Sequence, residues 1–136
     1  MNVEPAPDVQ KKVEEIVETL SDYGHVNQYR LICMRSRKAT ARAYARIWNL
    51  PDIWQKALEV KAFYIIEVLS QHFDKLSEEE KEKVLLHELM HIPKTFSGAL
   101  VPHECFGKRI DKRTVDALHR KYKEEKAKRR SEGSEG

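Results

Sequence analysis

The pentad His87-Glu88-Leu89-Met90-His91 constrains this chain more than any other stretch of it. On a helix, residues four apart share a face and stand one turn from each other. Both imidazoles can therefore reach a single ion, with Glu88 projecting beside it. That arrangement requires a helix, and the flanking residues carry the signals for one. Ser77 with Glu80 three residues later reads as a capping box. Glu78, Glu79 and Glu80 place acid in the first turn, where the helix dipole favours it. Leu85, Leu89 and Ile92 form an apolar stripe at helical spacing, with Val84 and Leu86 on its flanks. Pro93 disfavours helical backbone at Ile92, so the helix is expected to end just past His91 after about four turns. The plainer alternative is a helix whose two histidines are ordinary surface or core residues.

Two histidines hold Zn²⁺ poorly, and a catalytic zinc usually has three protein ligands and a water. His103, Glu104, Asp111 and His119 are the candidates for the third. The stretch from Ile92 to Pro102 is long enough to reverse and return to the metal, and Gly98 and Pro102 favour such a reversal. His103 is the preferred ligand, because its imidazole is neutral near pH 7 and binds zinc well. His119 lies beside the inward stripe of a later helix and reads as a packed or supporting residue, while His25 and His72 sit in loops. With His87, His91 and His103 as ligands, zinc would lower the pKa of its water towards about 7. Glu88 would take that proton as general base and return it to a leaving amine, a chemistry suited to amide hydrolysis. Tyr44, Tyr64, Lys94, Arg109 and Tyr122 all remain open as a second oxyanion donor.

Around this stretch the chain alternates helical and strand patterns. Met1 to Pro7 reads as a loose N-terminus, followed by a helix capped by Asp8 and running to about Tyr23, where Gly24 stops it. Strands are expected at Val26 to Arg35, across Ala41 to Trp48 with a small-residue face, and at Ala62 to Leu69. Glu67 is the only charge in the last of these and is expected to face solvent. A short helix from Asp52 to Leu58 separates the second and third strands. A closing helix spans Asp111 to about Lys128, and residues 131–136 are expected to be a disordered tail. The order predicts an α+β fold in one domain over residues 1–130, with about three strands packed on the metal-site helix.

Composition narrows the setting. Two cysteines, Cys33 and Cys105, are no disulfide framework, and no apolar run has transmembrane length, so a cytoplasmic protein with no membrane partner is expected. The net charge of +3 is unevenly spread. Residues 23–51 contain no acid against Arg30, Arg35, Arg37, Lys38, Arg42 and Arg46, and residues 108–130 carry eleven Lys/Arg against four acids. Segments 30–46 and 108–130 are thus candidate nucleic-acid contacts, with Trp48, Trp54 and Tyr122 as possible stacking groups. A solvated face is the plainer reading of both.

The run HELMHIPKTFSGALVPH, with YIIEV and FDKLS upstream, resembles the small zinc metallopeptidases of archaea and phages. The resemblance spans roughly Tyr29 to Tyr122. It implies a minimal zincin fold, in which a short twisted sheet packs on the HExxH helix and a rim strand lies beside the cleft. It also implies His87, His91 and His103 as zinc ligands, Glu88 as base, and a protein or peptide substrate. More distantly the pattern is similar to SprT-like proteases, which act on DNA-bound proteins. The chain lacks the further Gly and His of a metzincin, and no separate DNA-binding domain is expected beside this one. A zinc-stabilised nucleic-acid-binding or regulatory module, or a protease that requires a partner, is the rival to a zinc metallopeptidase.

Overall fold

The computed structural model describes residues 2–105 and 107–134. Its elements run β1 (Asn2–Pro5), α1 (Pro7–Thr19), β2 (Leu31–Arg37), β3 (Ala45–Asn49), α2 (Asp52–Leu58), β4 (Tyr64–Leu69), α3 (Ser70–Phe73), α4 (Glu78–Met90), β5 (Glu104–Cys105), β6 (Lys108–Arg109) and α5 (Lys112–Ser134). This is an α+β fold with a small mixed sheet, consistent with a small zincin-like domain. The sheet has four strands in the order β1-β2-β4-β3, one more than expected. Central β2 and β4 are parallel, with Cys33 beside Ile66, and both outer strands pair antiparallel to them.

Strand alternation decides which side is covered. Leu31 and Cys33 of β2, Tyr64, Ile66 and Val68 of β4, and Ala45 of β3 are all buried in the core. They share it with Val9, Val13, Ile16 and Val17 of α1 and Leu85, Leu86 and Leu89 of α4. Leu86, expected on the flank of the α4 stripe, is fully buried. The opposite face is open: Ile32, Ile65 and Trp48 lie side by side across three strands at 41%, 37% and 49% exposure.

Several expectations change. The first residues are a strand, β1, whose Val3 pairs with Ser36 and whose Glu4 carboxylate receives the Arg37 guanidinium at 2.6 Å. Asp8 does not cap α1, because Pro7 starts the helix one residue earlier. Its carboxylate instead accepts two hydrogen bonds from Arg35, at 3.0 and 2.9 Å. α1 ends at Thr19 with Leu20 extended, and Gly24 caps only the 3-10 turn that follows. Of the alanines near β3, Ala45 is within the strand and buried, while Ala41 and Ala43 precede it. Helix α5 continues through Ser134, past the expected tail boundary; its last turn, with Ser131, Gly133 and Ser134, propagates from the Lys-, Glu-, Arg- and Ala-rich turns before it and not from its own helix propensity. Residues 135–136 of that tail lie outside the described residues.

Glu67 also differs from expectation. It is 5% exposed, not solvent-facing. Arg46 directly opposite on β3 donates from Nε at 2.7 Å, and Trp48 donates its indole N–H at 2.8 Å. The Arg46 hydrogen bond outweighs burial and holds the Glu67 carboxyl at about 2. Among the described residues no helix is long and apolar enough to cross a membrane.

Candidate metal centre

The site begins with the start of α4. The Ser77 hydroxyl accepts the Glu80 N–H at 3.1 Å and lies 3.1 Å from the Glu80 carboxylate, to which it can donate. One and a half turns on, Glu82 is locked between Lys12 of α1 and His119 of α5, each at 3.0 Å. Lys83 adds an ion pair to Asp116 of α5 at 3.2 Å. The N-terminal half of α4 is thus fixed on both sides, which sets the position of His87 and His91 in its last turn. The helix ends at Met90 with His91 as its cap, as Pro93 requires.

The chain then makes a closed excursion. Val101 N–H returns to the His91 carbonyl at 2.7 Å, and the His91 ring contacts the Val101 carbonyl at 2.5 Å. A carbonyl can only accept, so His91 Nδ1 carries the proton and Nε2 keeps a free lone pair. The tip of the loop is braced from the sheet. Tyr64 hydroxyl accepts from Gly98 N–H and donates to the Ala99 carbonyl, both at 2.8 Å. Asn49 donates to the Gly98 carbonyl at 2.6 Å. Gly98 has φ of +98°, a left-handed backbone that favours glycine; a Cβ there would also press on the end of the Gln55 side chain, which can swing aside. Phe96 packs edge-on to Tyr64 with ring centres 4.9 Å apart.

This excursion delivers His103 to the helix. One nitrogen from each of His87, His91 and His103 lies within 4.8 Å of the other two. The Nε2 atoms of His87 and His103 are 3.2 Å apart. Two nitrogens bound tetrahedrally at zinc-ligand distances would be separated by about 3.3 Å, so the spacing suits that ion. Burial, followed by the neighbouring histidines, lowers the pKa of His87; burial likewise lowers that of His91. Both rings are therefore biased towards the neutral form that a metal needs. Glu88, between the two helical histidines in sequence, is 8% exposed, and burial alone pushes its carboxyl up to about 7. The donor set fits a zinc ion with an open position.

The remaining candidates go elsewhere. Glu104 reaches Arg109 across the β5–β6 hairpin at 3.5 Å, and the Asp111 carboxylate accepts the Thr114 N–H at 2.9 Å at the start of α5. His119 is buried against Glu82. Tyr64 is committed to the loop and Tyr122 is buried on the inner face of α5, whereas Tyr44, Lys94 and Arg109 are exposed. Sequence reasoning missed Val101, Tyr64 and Asn49 as the supports of the site. Only the Tyr at the head of β4 hinted at a polar tip in a buried strand.

The two basic segments are laced with ion pairs. Arg35 binds Asp8 and Asp74, Arg37 binds Glu4, and Arg46 binds Glu67. On α5, Lys121 pairs with Asp22 and Lys126 with Glu15, at 2.7 and 2.9 Å.

No curated protein and no solved structure matches the chain. The family described as "Putative phage metallopeptidase" matches residues 1–128, and with them the HExxH helix, its return loop and most of α5. The chain belongs to this family of phage metallopeptidases.

Proposed function

We propose that the protein is a zinc-dependent metallopeptidase in which His87, His91 and His103 hold the ion and Glu88 is the general base. The observation that carries this reading is the convergence of the three imidazoles from a helix and a return loop, with the carboxylate that follows His87 buried. When bound, zinc supplies a Lewis acid that polarises a peptide carbonyl and acidifies a water. Glu88 accepts the proton of the attacking water as its oxygen bonds to the carbonyl carbon. It then delivers that proton to the nitrogen as the C–N bond breaks. The tie between His91 Nδ1 and Val101 fixes the ring so that Nε2 is the coordinating atom. Cys33 and Cys105 are free thiols, which supports action in a reducing cytoplasm.

The test is elemental analysis after dialysis against a weak chelator, paired with hydrolysis of an unfolded fluorescent protein. Close to one zinc per chain is expected, with activity lost to a strong chelator and regained on adding zinc. Protein that neither carries nor can be reloaded with metal would refute the reading.

A further inference from the structure

Beside the histidine cluster lies a cleft of about 1010 Å³ that the proposed chemistry does not yet use. Met90 and Ile92, which bracket His91, line it, as do Val101 and Pro102, which lead into His103. None of His87, Glu88, His91 and His103 lines the cleft, but the residues on either side of His91 and those just before His103 do. Tyr23, Ile92 and Ile110 are buried lining residues, and Leu118 adds a partly buried apolar surface. The volume matches pockets that hold drug-sized molecules, about 300–1,000 Å³, so a stretch of a few residues fits better than one side chain.

The charge around this apolar surface is one-sided. Lys94, Lys108, Arg109, Arg113 and Lys121 line the cleft against Asp22 and Asp111. Asp22 is engaged by Lys121, and the Asp111 carboxylate is taken up by the Thr114 N–H at the head of α5. Lys94, Lys108 and Arg113 form no salt bridge among the described residues. The start of α5 sharpens the point. Its first turn has no acid and begins Lys112-Arg113, although a helix N-terminus attracts negative charge. Cations there go against the helix dipole even with the Asp111 carboxylate capping the first turn, and suit an anion bound in the cleft.

We infer that this cleft binds the substrate chain through a bulky apolar residue flanked by acidic residues. The inference rests on the peptidase reading, and it names the substrate class for that site. The apolar residue enters between Ile92, Ile110 and Leu118, while flanking carboxylates meet Lys94 and Arg113.

The experiment uses the zinc-loaded full chain carrying Glu88→Gln, so that binding is read without turnover, with three labelled peptides followed by fluorescence anisotropy. The peptides carry Glu-Phe-Glu, Glu-Ala-Glu or Lys-Phe-Lys in one common frame. The first should bind at least about 10-fold more tightly than either other. Lys94→Glu with Arg113→Glu should abolish the preference over Lys-Phe-Lys, and Ala117→Trp, at an exposed cleft residue, should abolish the preference over Glu-Ala-Glu. Equal binding of all three peptides, or preferences that survive both variants, would overturn the inference. The same peptides with the unsubstituted chain separate it from the peptidase reading. Selective binding without cleavage leaves the cleft assignment standing and refutes the peptidase, whereas cleavage without preference does the reverse.

Discussion

Two glutamates of nearly equal burial sit in different regions and are held in opposite states. Glu67, on the open face of the sheet, is 5% exposed; Glu88, near the end of α4, is 8% exposed. Glu67 has Arg46 and the Trp48 indole as partners, and its carboxyl is held at about 2. Glu88 has burial as the sole cause of its shift, and its carboxyl is pushed up to about 7. Burial by itself disfavours the ionised form, so the sign of each shift is decided by whether a donor faces the carboxylate. The sheet glutamate is a structural tie. Among the described residues the helix glutamate has no cationic partner beside the histidine cluster, a poor arrangement for stability and a good one for moving protons.

The comparison breaks most readily at Glu88. Replacing it with Gln keeps shape and hydrogen bonding but removes the proton acceptor, and general-base removal costs on the order of 10²–10⁴ in rate. Zinc content and thermal unfolding should match the parent, since no ion pair is lost. Hydrolysis at the parent rate would place the base elsewhere.

A smaller effect is expected one loop away. His103→Ala should weaken zinc binding about 100-fold by titration, whereas Glu104→Ala, which loses only an exposed 3.5 Å contact to Arg109, should change it little. The reverse pattern would make this a Glu-ligated site.

The smallest effect falls on stability, at the sheet. A shift from 4.5 to about 2 corresponds to about 3 kcal/mol, and solvent screening at Arg46, 41% exposed, reduces the expectation for Glu67→Gln to about 2 kcal/mol. Because the folded pKa is depressed, this stabilisation is present above about pH 4.5 and fades as pH falls towards 2. Denaturant melts of parent and variant should therefore differ at pH 7 and converge near pH 2–3, with peptidase activity at pH 7 unchanged.

What could be read from the sequence follows from how local each signal is. The α4 cap, acid turn, apolar stripe and Pro93 stop all act within one helix, and the helix forms from Glu78 to Met90 behind Ser77. β4 likewise carries its own apolar run. The fate of Glu67 was illegible because its partner lies 21 residues away, across a strand register that no local pattern specifies. β1 was illegible for the opposite reason: all four residues are exposed, so no burial pattern marks them, and only pairing with β2 makes them a strand. Reach alone left His103, Glu104, Asp111 and His119 as competitors at the metal. The partners of the last three, Arg109, Thr114 and Glu82, become visible only in three dimensions.

The return loop between His91 and Val101 has a consequence for how the ion is captured. Its closure rests on main-chain and sheet contacts: His91 to Val101, Tyr64 to Gly98 and Ala99, and Asn49 to Gly98. Joining the ends of a flexible segment carries an entropic cost, and here that cost is met during folding. On the proposed function, ion uptake would have little left to order, so affinity would be set by the three nitrogens and not by assembly of the polypeptide. The chain would then act as a preorganised receptor for its metal, unlike small domains that collapse only around one.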